Sequence, residues 1–75
     1  MRLDKPLATR IVRKLRWLAD NLDDLSPEPL KGGFRGLYKL REGDYRVIYE
    51  LLRSEETIVV HLIGHRREVY KMKRP

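Results

Sequence analysis

The sequence predicts an α+β fold, an N-terminal helix packed on a three-stranded antiparallel sheet. Three observations carry that expectation. Apolar residues recur every three to four positions through the first third of the chain, at Leu7, Ile11, Leu15, Leu18 and Leu22. The second half is rich in β-branched and aromatic residues, set between short charged or glycine-containing turns. The connections between those runs are too short for crossover helices, so the strands should form an antiparallel meander.

The helix is expected over residues 4–24. Asp4 suits the N-cap, and Pro6 is tolerated in a first turn. Ala8, Val12 and Ala19 widen the apolar stripe, while Arg10, Arg13 and Arg16 lie largely off it. Trp17 falls outside the stripe and is expected to cap the edge of the core. Ser26-Pro27-Glu28-Pro29 stops the helix, because proline cannot continue it. Lys31-Gly32-Gly33 is a joint into a first strand near 34–41. Glu42-Gly43-Asp44 is a turn in which Gly43 can take positive φ. Tyr45 to Leu52 is a second strand, Arg53-Ser54-Glu55-Glu56 a second turn, and Thr57 to Ile63 a third strand around Ile58-Val59-Val60. One sheet face packs on the helix. The other is expected to stand open, carrying Arg46 and neighbouring basic groups.

Seventy-five residues make a single domain, 1–75, with a small core. No cysteine is present, so no disulfide or thiolate metal site reinforces it. No apolar run reaches the roughly 18–20 residues of a membrane span, and the N-terminus lacks the apolar segment of a signal peptide. No membrane partner is expected, and the cytoplasm is the simplest location. The net charge is +6. Eleven of the 17 basic residues and six of the 11 acidic ones lie in residues 31–75, so the positive field belongs to the strand half and the tail. Such a field attracts polyanions or an acidic protein.

The chain has no HExxH, EF-hand loop or Walker A sequence, and no carboxylate cluster suited to two metals. Ser54 and Thr57 lie in or beside a charged turn, with nothing to build a triad. No metal and no cofactor is expected. Phosphate chemistry without a metal is what remains for an enzyme. It needs a base for a ribose 2′-OH, an acid for the 5′-oxygen, and positive charge for a phosphorane-like transition state.

Lys39 and Arg41 are two apart on one strand and project from one face. Arg46 stands on the central strand, where solvation is poorest, and a guanidinium suits bidentate phosphate contact. Arg66 and Arg67 follow the third strand, one reaching the open face and the other solvent. Nearby arginines favour the phenolate of Tyr70. His65 is a candidate acid–base or RNA-contacting group, and His61, inside a strand, is read as structural. Tyr38, Tyr45 and Tyr49 either stack on bases or pack within the sheet.

Three ordered blocks carry a resemblance: Leu37-Tyr38-Lys39-Leu40-Arg41, then Gly43-Asp44-Tyr45-Arg46-Val47-Ile48-Tyr49, then Gly64-His65-Arg66-Arg67-Glu68-Val69-Tyr70. Together with Leu3-Asp4-Lys5-Pro6-Leu7, they make the chain from Leu3 to Lys71 resemble the RelE/ParE toxin superfamily, and its RelE-like ribonucleases in particular. The resemblance implies the toxin of a type II toxin–antitoxin system, an endoribonuclease that cleaves messenger RNA on the ribosome without a metal. It implies that Arg46 contacts the scissile phosphate, that Arg66 stabilises the transition state, and that Tyr70 orients or deprotonates the 2′-OH. Lys39 and Arg41 would be strand cations on the RNA, with Arg67 and His65 beside them. The implied partners are messenger RNA, the ribosome and a cognate antitoxin, whose acidic or amphipathic segment covers the basic face or the sheet edge.

Members of that superfamily usually begin with a strand and a helix ahead of the helix placed here at 4–24. This sequence lacks both, and an open sheet edge of that kind invites self-association. Two other functions belong to the same resemblance. One is a ParE-like toxin that acts on DNA gyrase and cleaves no RNA. The other is an inactive remnant that only binds antitoxin.

Overall fold

The computed structural model describes residues 4–32, 34–69 and 71. Helix α1 (Lys5–Asp20) is followed by a 3₁₀ turn (Leu22–Asp24), then β1 (Glu28–Pro29), β2 (Leu37–Glu42), β3 (Tyr45–Leu52), a 3₁₀ turn (Arg53–Glu55), β4 (Thr57–His65) and the one-turn helix α2 (Arg66–Val69). The sheet is antiparallel throughout in the order β1-β2-β3-β4. The expected α+β architecture is present, with a fourth, two-residue strand. Among the described residues, no helix is long and apolar enough to cross a membrane.

α1 begins where the capping chemistry places it. Asp4 is extended, and its Oδ1 accepts the Leu7 N–H at 2.8 Å, satisfying one of the otherwise unpaired first-turn donors. The helix ends at Asp20, earlier than the apolar spacing to Leu22 implied. Asn21 stops it: its side-chain amide donates to the Trp17 carbonyl at 2.8 Å, and its backbone N–H donates to Trp17 and Leu18. Leu22 continues only as part of the 3₁₀ turn.

The buried stripe of α1 is narrower than the sequence reading made it. Leu7, Ile11 and Leu18 are buried, whereas Val12 is 48% exposed. Trp17 is 51% exposed rather than sealing the core edge. The helix covers one face of the sheet, where Leu7 and Ile11 meet Val47, with Leu15, Leu40, Tyr45 and Ile63 packed around them.

The opposite face is closed as well, which corrects the expectation of an open sheet. Leu30 and Val69 lie with Ile48, and Phe34, Leu37 and Leu62 surround them. Val47, Ile48 and Tyr49 are therefore buried in succession, because β3 is central and covered on both sides. The cover comes from the loop after β1 and from α2. Gly64 makes room for it: a Cβ built there would sit 3.6 Å from the Cβ of Val69.

The β2–β3 hairpin turns on two residues, Gly43 and Asp44, with Glu42 and Tyr45 as the last pair. Gly43 takes φ +58°, the first-position requirement of a type II′ turn. β1 pairs Glu28 with Lys39 and Pro29 with Tyr38. Its proline marks a helix stop in the sequence, yet proline is also allowed on an edge strand, where one N–H side faces no partner.

Candidate functional site

The register places three of the expected site residues on one sheet face. Lys39 pairs with Ile48 and Arg41 with Arg46, while Arg46 pairs with Gly64 on β4. Alternation along β2 and β3 then directs Lys39, Arg41 and Arg46 to the face opposite α1. Ile48 and Leu62 in the middle of that face lie under Leu30 and Val69. The charged part of the face is its hairpin end.

Arg41 and Arg46 stand directly across the ladder, an arrangement that like charges resist. Each turns to an internal acceptor. Arg41 grips Glu28 with both arms of its fork, Nη2 to Oε1 at 2.8 Å and Nε to Oε2 at 3.3 Å. Arg46 folds back over the turn, and its Nη1 donates to the carbonyls of Gly43 at 2.9 Å and Tyr45 at 2.8 Å.

Arg66 reaches the same turn from the other side. Its backbone N–H donates to the Asp44 carbonyl at 2.7 Å, and its Nε lies 3.8 Å from Asp44 Oδ1. Arg46 and Arg66, far apart in the chain, are thus both fastened to Gly43–Asp44. Arg67 is exposed, and its backbone N–H donates to His65 Nδ1 at 3.1 Å. The His65 ring meets Tyr45 edge-on at 5.6 Å, and Tyr45 packs with α1. His65 therefore sits on the helix side of the sheet, away from Arg46, and ties the β4–α2 junction. Tyr70 lies outside the described residues.

Two cations that sequence reading left on the helix come to the same end. Arg10 Nε is 3.2 Å from Glu42 Oε1, and Lys14 Nζ is 3.5 Å from Glu42 Oε2. Lys14 also donates to the Arg41 carbonyl. The available signal was their spacing, four apart on the flank of the stripe beside Leu7. The carboxylates that organise the cluster, Glu28, Glu42 and Asp44, had no signal, since each acts across the fold. His61 lies at a bulge opposite Ile48 and Tyr49, with Nε2 3.0 Å from Glu50 Oε1. Tyr38 and Tyr49 pack ring to ring at 5.8 Å, and Tyr49 is 1% exposed, so Tyr49 is not open to a base. Burial, and to a lesser degree Tyr38, raises the Tyr49 phenol above its ordinary 10.0. Among the described residues, no three His, Asp or Glu side chains converge on a metal position.

The architecture is an N-terminal helix packed on a four-stranded antiparallel sheet, and the chain is a RelE/ParE-like toxin. The chain belongs to the family described as the ParE toxin of the type II toxin–antitoxin system parDE, whose family model matches residues 2–70. It is similar to Toxin RelG of Mycobacterium tuberculosis, with 33% identity over 54 residues, or 64% of this chain. The match spans 62% of the length of that curated relative.

Proposed function

We propose that this toxin-family chain is a metal-independent endoribonuclease that cleaves messenger RNA on the ribosome. The observation that carries the reading is the attachment of Arg46, from β3, and Arg66, from the start of α2, to one two-residue turn. Two guanidiniums held at one sheet end suit the charge that develops on a phosphorane. In the proposed reaction the ribose 2′-oxygen bonds to phosphorus and the bond to the 5′-oxygen breaks. Tyr70 assists removal of the 2′-OH proton, and the 5′-oxygen leaves protonated. The products are a 2′,3′-cyclic phosphate and a 5′-hydroxyl. Lys39, Arg41 and Arg67 hold flanking phosphates, while His65 positions the junction that carries Arg66 and Arg67.

A cognate antitoxin is the proposed partner, its acidic segment drawn to the cations at the hairpin end. Co-expression with the neighbouring small reading frame, followed by pull-down, checks this. Failure to form a complex would count against the pair.

The test of chemistry uses translating ribosomes. Cleavage is expected to persist in EDTA, and Arg66→Ala is expected to lower the rate by about 10²–10³, the usual effect of losing one charge-stabilising donor. Circular dichroism should show the variant folded, since the Arg66–Asp44 contact is an exposed ion pair.

The match to a family described as a ParE toxin supports a second reading, which the resemblance to ParE-like toxins implies is action on DNA gyrase without RNA cleavage. Intact messenger RNA together with inhibited supercoiling would establish it. A chain inert in both assays that still binds its antitoxin would be a remnant.

A further inference from the structure

The turn that holds Arg46 and Arg66 is two residues at one end of the sheet, and both Asp44 and Arg66 are exposed there. Its anchored side is the one that faces α1. Leu40 and Tyr45 pack on that side with Leu7, Ile11 and Val47. Alternation from Leu40 puts Glu42, the last residue of β2, on the same side.

An acid is an unusual choice for that position. The Glu42 side chain is 19% exposed, against 40–68% for the other acids in ion pairs among the described residues. A carboxylate withdrawn from water beside apolar side chains is costly unless it is paired. Two cations from successive turns of α1 pair it, Arg10 at Oε1 and Lys14 at Oε2. An apolar residue of similar size would often serve stability as well. What the charged cluster adds is direction. Its two ion pairs, with the bond from Lys14 to the Arg41 carbonyl, fix how the hairpin end sits on α1.

This clamp is contiguous with both guanidiniums. Glu42 precedes Gly43, whose carbonyl accepts from Arg46. Arg41, whose carbonyl Lys14 holds, stands opposite Arg46 in the ladder. Glu42 pairs with Tyr45, and the Tyr45 ring meets His65, the residue before Arg66. All of these contacts are made between residues 10 and 66.

We propose that Glu42 is a positioning residue. With Arg10 and Lys14 it fastens the hairpin to α1, and so holds Gly43–Asp44 and the two guanidiniums tied to that turn. The effect on rate rests on the ribonuclease reading; the effect on the turn does not. Glu42 lies on the α1 side of the sheet and Arg46 on the other, so the carboxylate acts through the turn and not on the phosphate. Its charge separates this role from RNA attraction. Loss of the carboxylate leaves Arg10 and Lys14 uncompensated and strengthens the positive field at the hairpin end. Attraction and positioning then change in opposite directions.

Glu42→Gln keeps the shape and removes the charge. Single-turnover cleavage on translating ribosomes is expected to slow by about 10–10²-fold, the scale of a small misplacement of reacting groups. Binding of single-stranded RNA at low salt, read by fluorescence anisotropy, is expected to be equal or tighter. Lys14→Met should slow cleavage in the same way, and the double variant no further than the slower single one, because the two act as one unit. Partial unfolding would instead lower rate and binding together, and that result overturns the proposal. Amide exchange reads the turn without any reaction. The Arg66 N–H, bonded to the Asp44 carbonyl, should exchange at least about tenfold faster in Glu42→Gln while Val47–Tyr49 keep their rates. Unchanged Arg66 exchange, or cleavage at the wild-type rate, overturns the proposal. A wild-type chain that cleaves no messenger RNA overturns the ribonuclease reading instead, and the exchange result alone then decides whether Glu42 holds the turn.

Discussion

Arg41 already holds a carboxylate where the proposed reaction wants a phosphate. The fork on Glu28 is bidentate, but both groups are largely solvated, so the pair is worth only about 0.2–1 kcal/mol. A polyanion can displace it. Glu28→Gln removes the competing charge and is expected to tighten binding of single-stranded RNA at low salt. It should also steepen the log–log salt dependence by about 0.7, the increment for one more phosphate contact. Fluorescence anisotropy across a salt series reads both, and an unchanged slope would place Arg41 outside the interface. Tyr49 makes a prediction of a different kind. Its phenol is held above the ordinary 10.0 by burial, so the folded state keeps the proton longer than the unfolded chain does. Its contribution is fully present below pH 10.0 and is lost as pH rises through the folded value. Tyr49→Phe should therefore flatten the loss of stability in alkali, as denaturant titrations above and below pH 10.0 would show.

At the scale of elements, α1 and α2 depend on single residues in opposite ways. Asp4 satisfies a donor at the start of α1, and Asp4→Ala should cost about 1 kcal/mol, read as a lowered melting temperature. Gly64 supplies absence. A Cβ there makes ordinary contact with Val69, so Gly64→Ala should be tolerated. Gly64→Leu drives further atoms into the space that Val69 fills, at a cost of about 1–3 kcal/mol. The strand pairing survives, but α2, which carries Arg66, is displaced from the sheet. Loss of RNA cleavage with the sheet retained, judged by amide exchange in β2 and β3, is the expected outcome. Cleavage at the wild-type rate would separate α2 from the site.

The whole molecule is 18 Å thick and stacks two small clusters on a single sheet. Both clusters share β3, through Val47 on one side and Ile48 on the other. Domains of this size rarely draw more than about 3–5 kcal/mol from a core. Ile48→Ala is expected to remove about 2–5 kcal/mol of that, so the variant should lose cooperative melting as a monomer.

Local and periodic features of the chain were enough to determine α1 from Asp4 onward, the bounds of β3, the glycine turn at 43 and the common face of Lys39, Arg41 and Arg46. Each of these depends on neighbours within a few residues, through a cap, a spacing of 3.6 or a spacing of two. The three blocks that resembled RelE/ParE toxins were also short and local, which is why the family was legible. Tertiary structure alone decided the rest. β1 exists only because β2 pairs with it, and two residues have no period to read. The second sheet face is covered because Leu30, Phe34 and Val69 converge from two distant segments. Arg41 is engaged by Glu28 thirteen positions away, and Arg10 by Glu42 thirty-two positions away. Which arginine is occupied, which face is dry and which edge stays open are set by pairs far apart in the chain. No spacing in the sequence records those meetings, because they form only when the whole sheet closes.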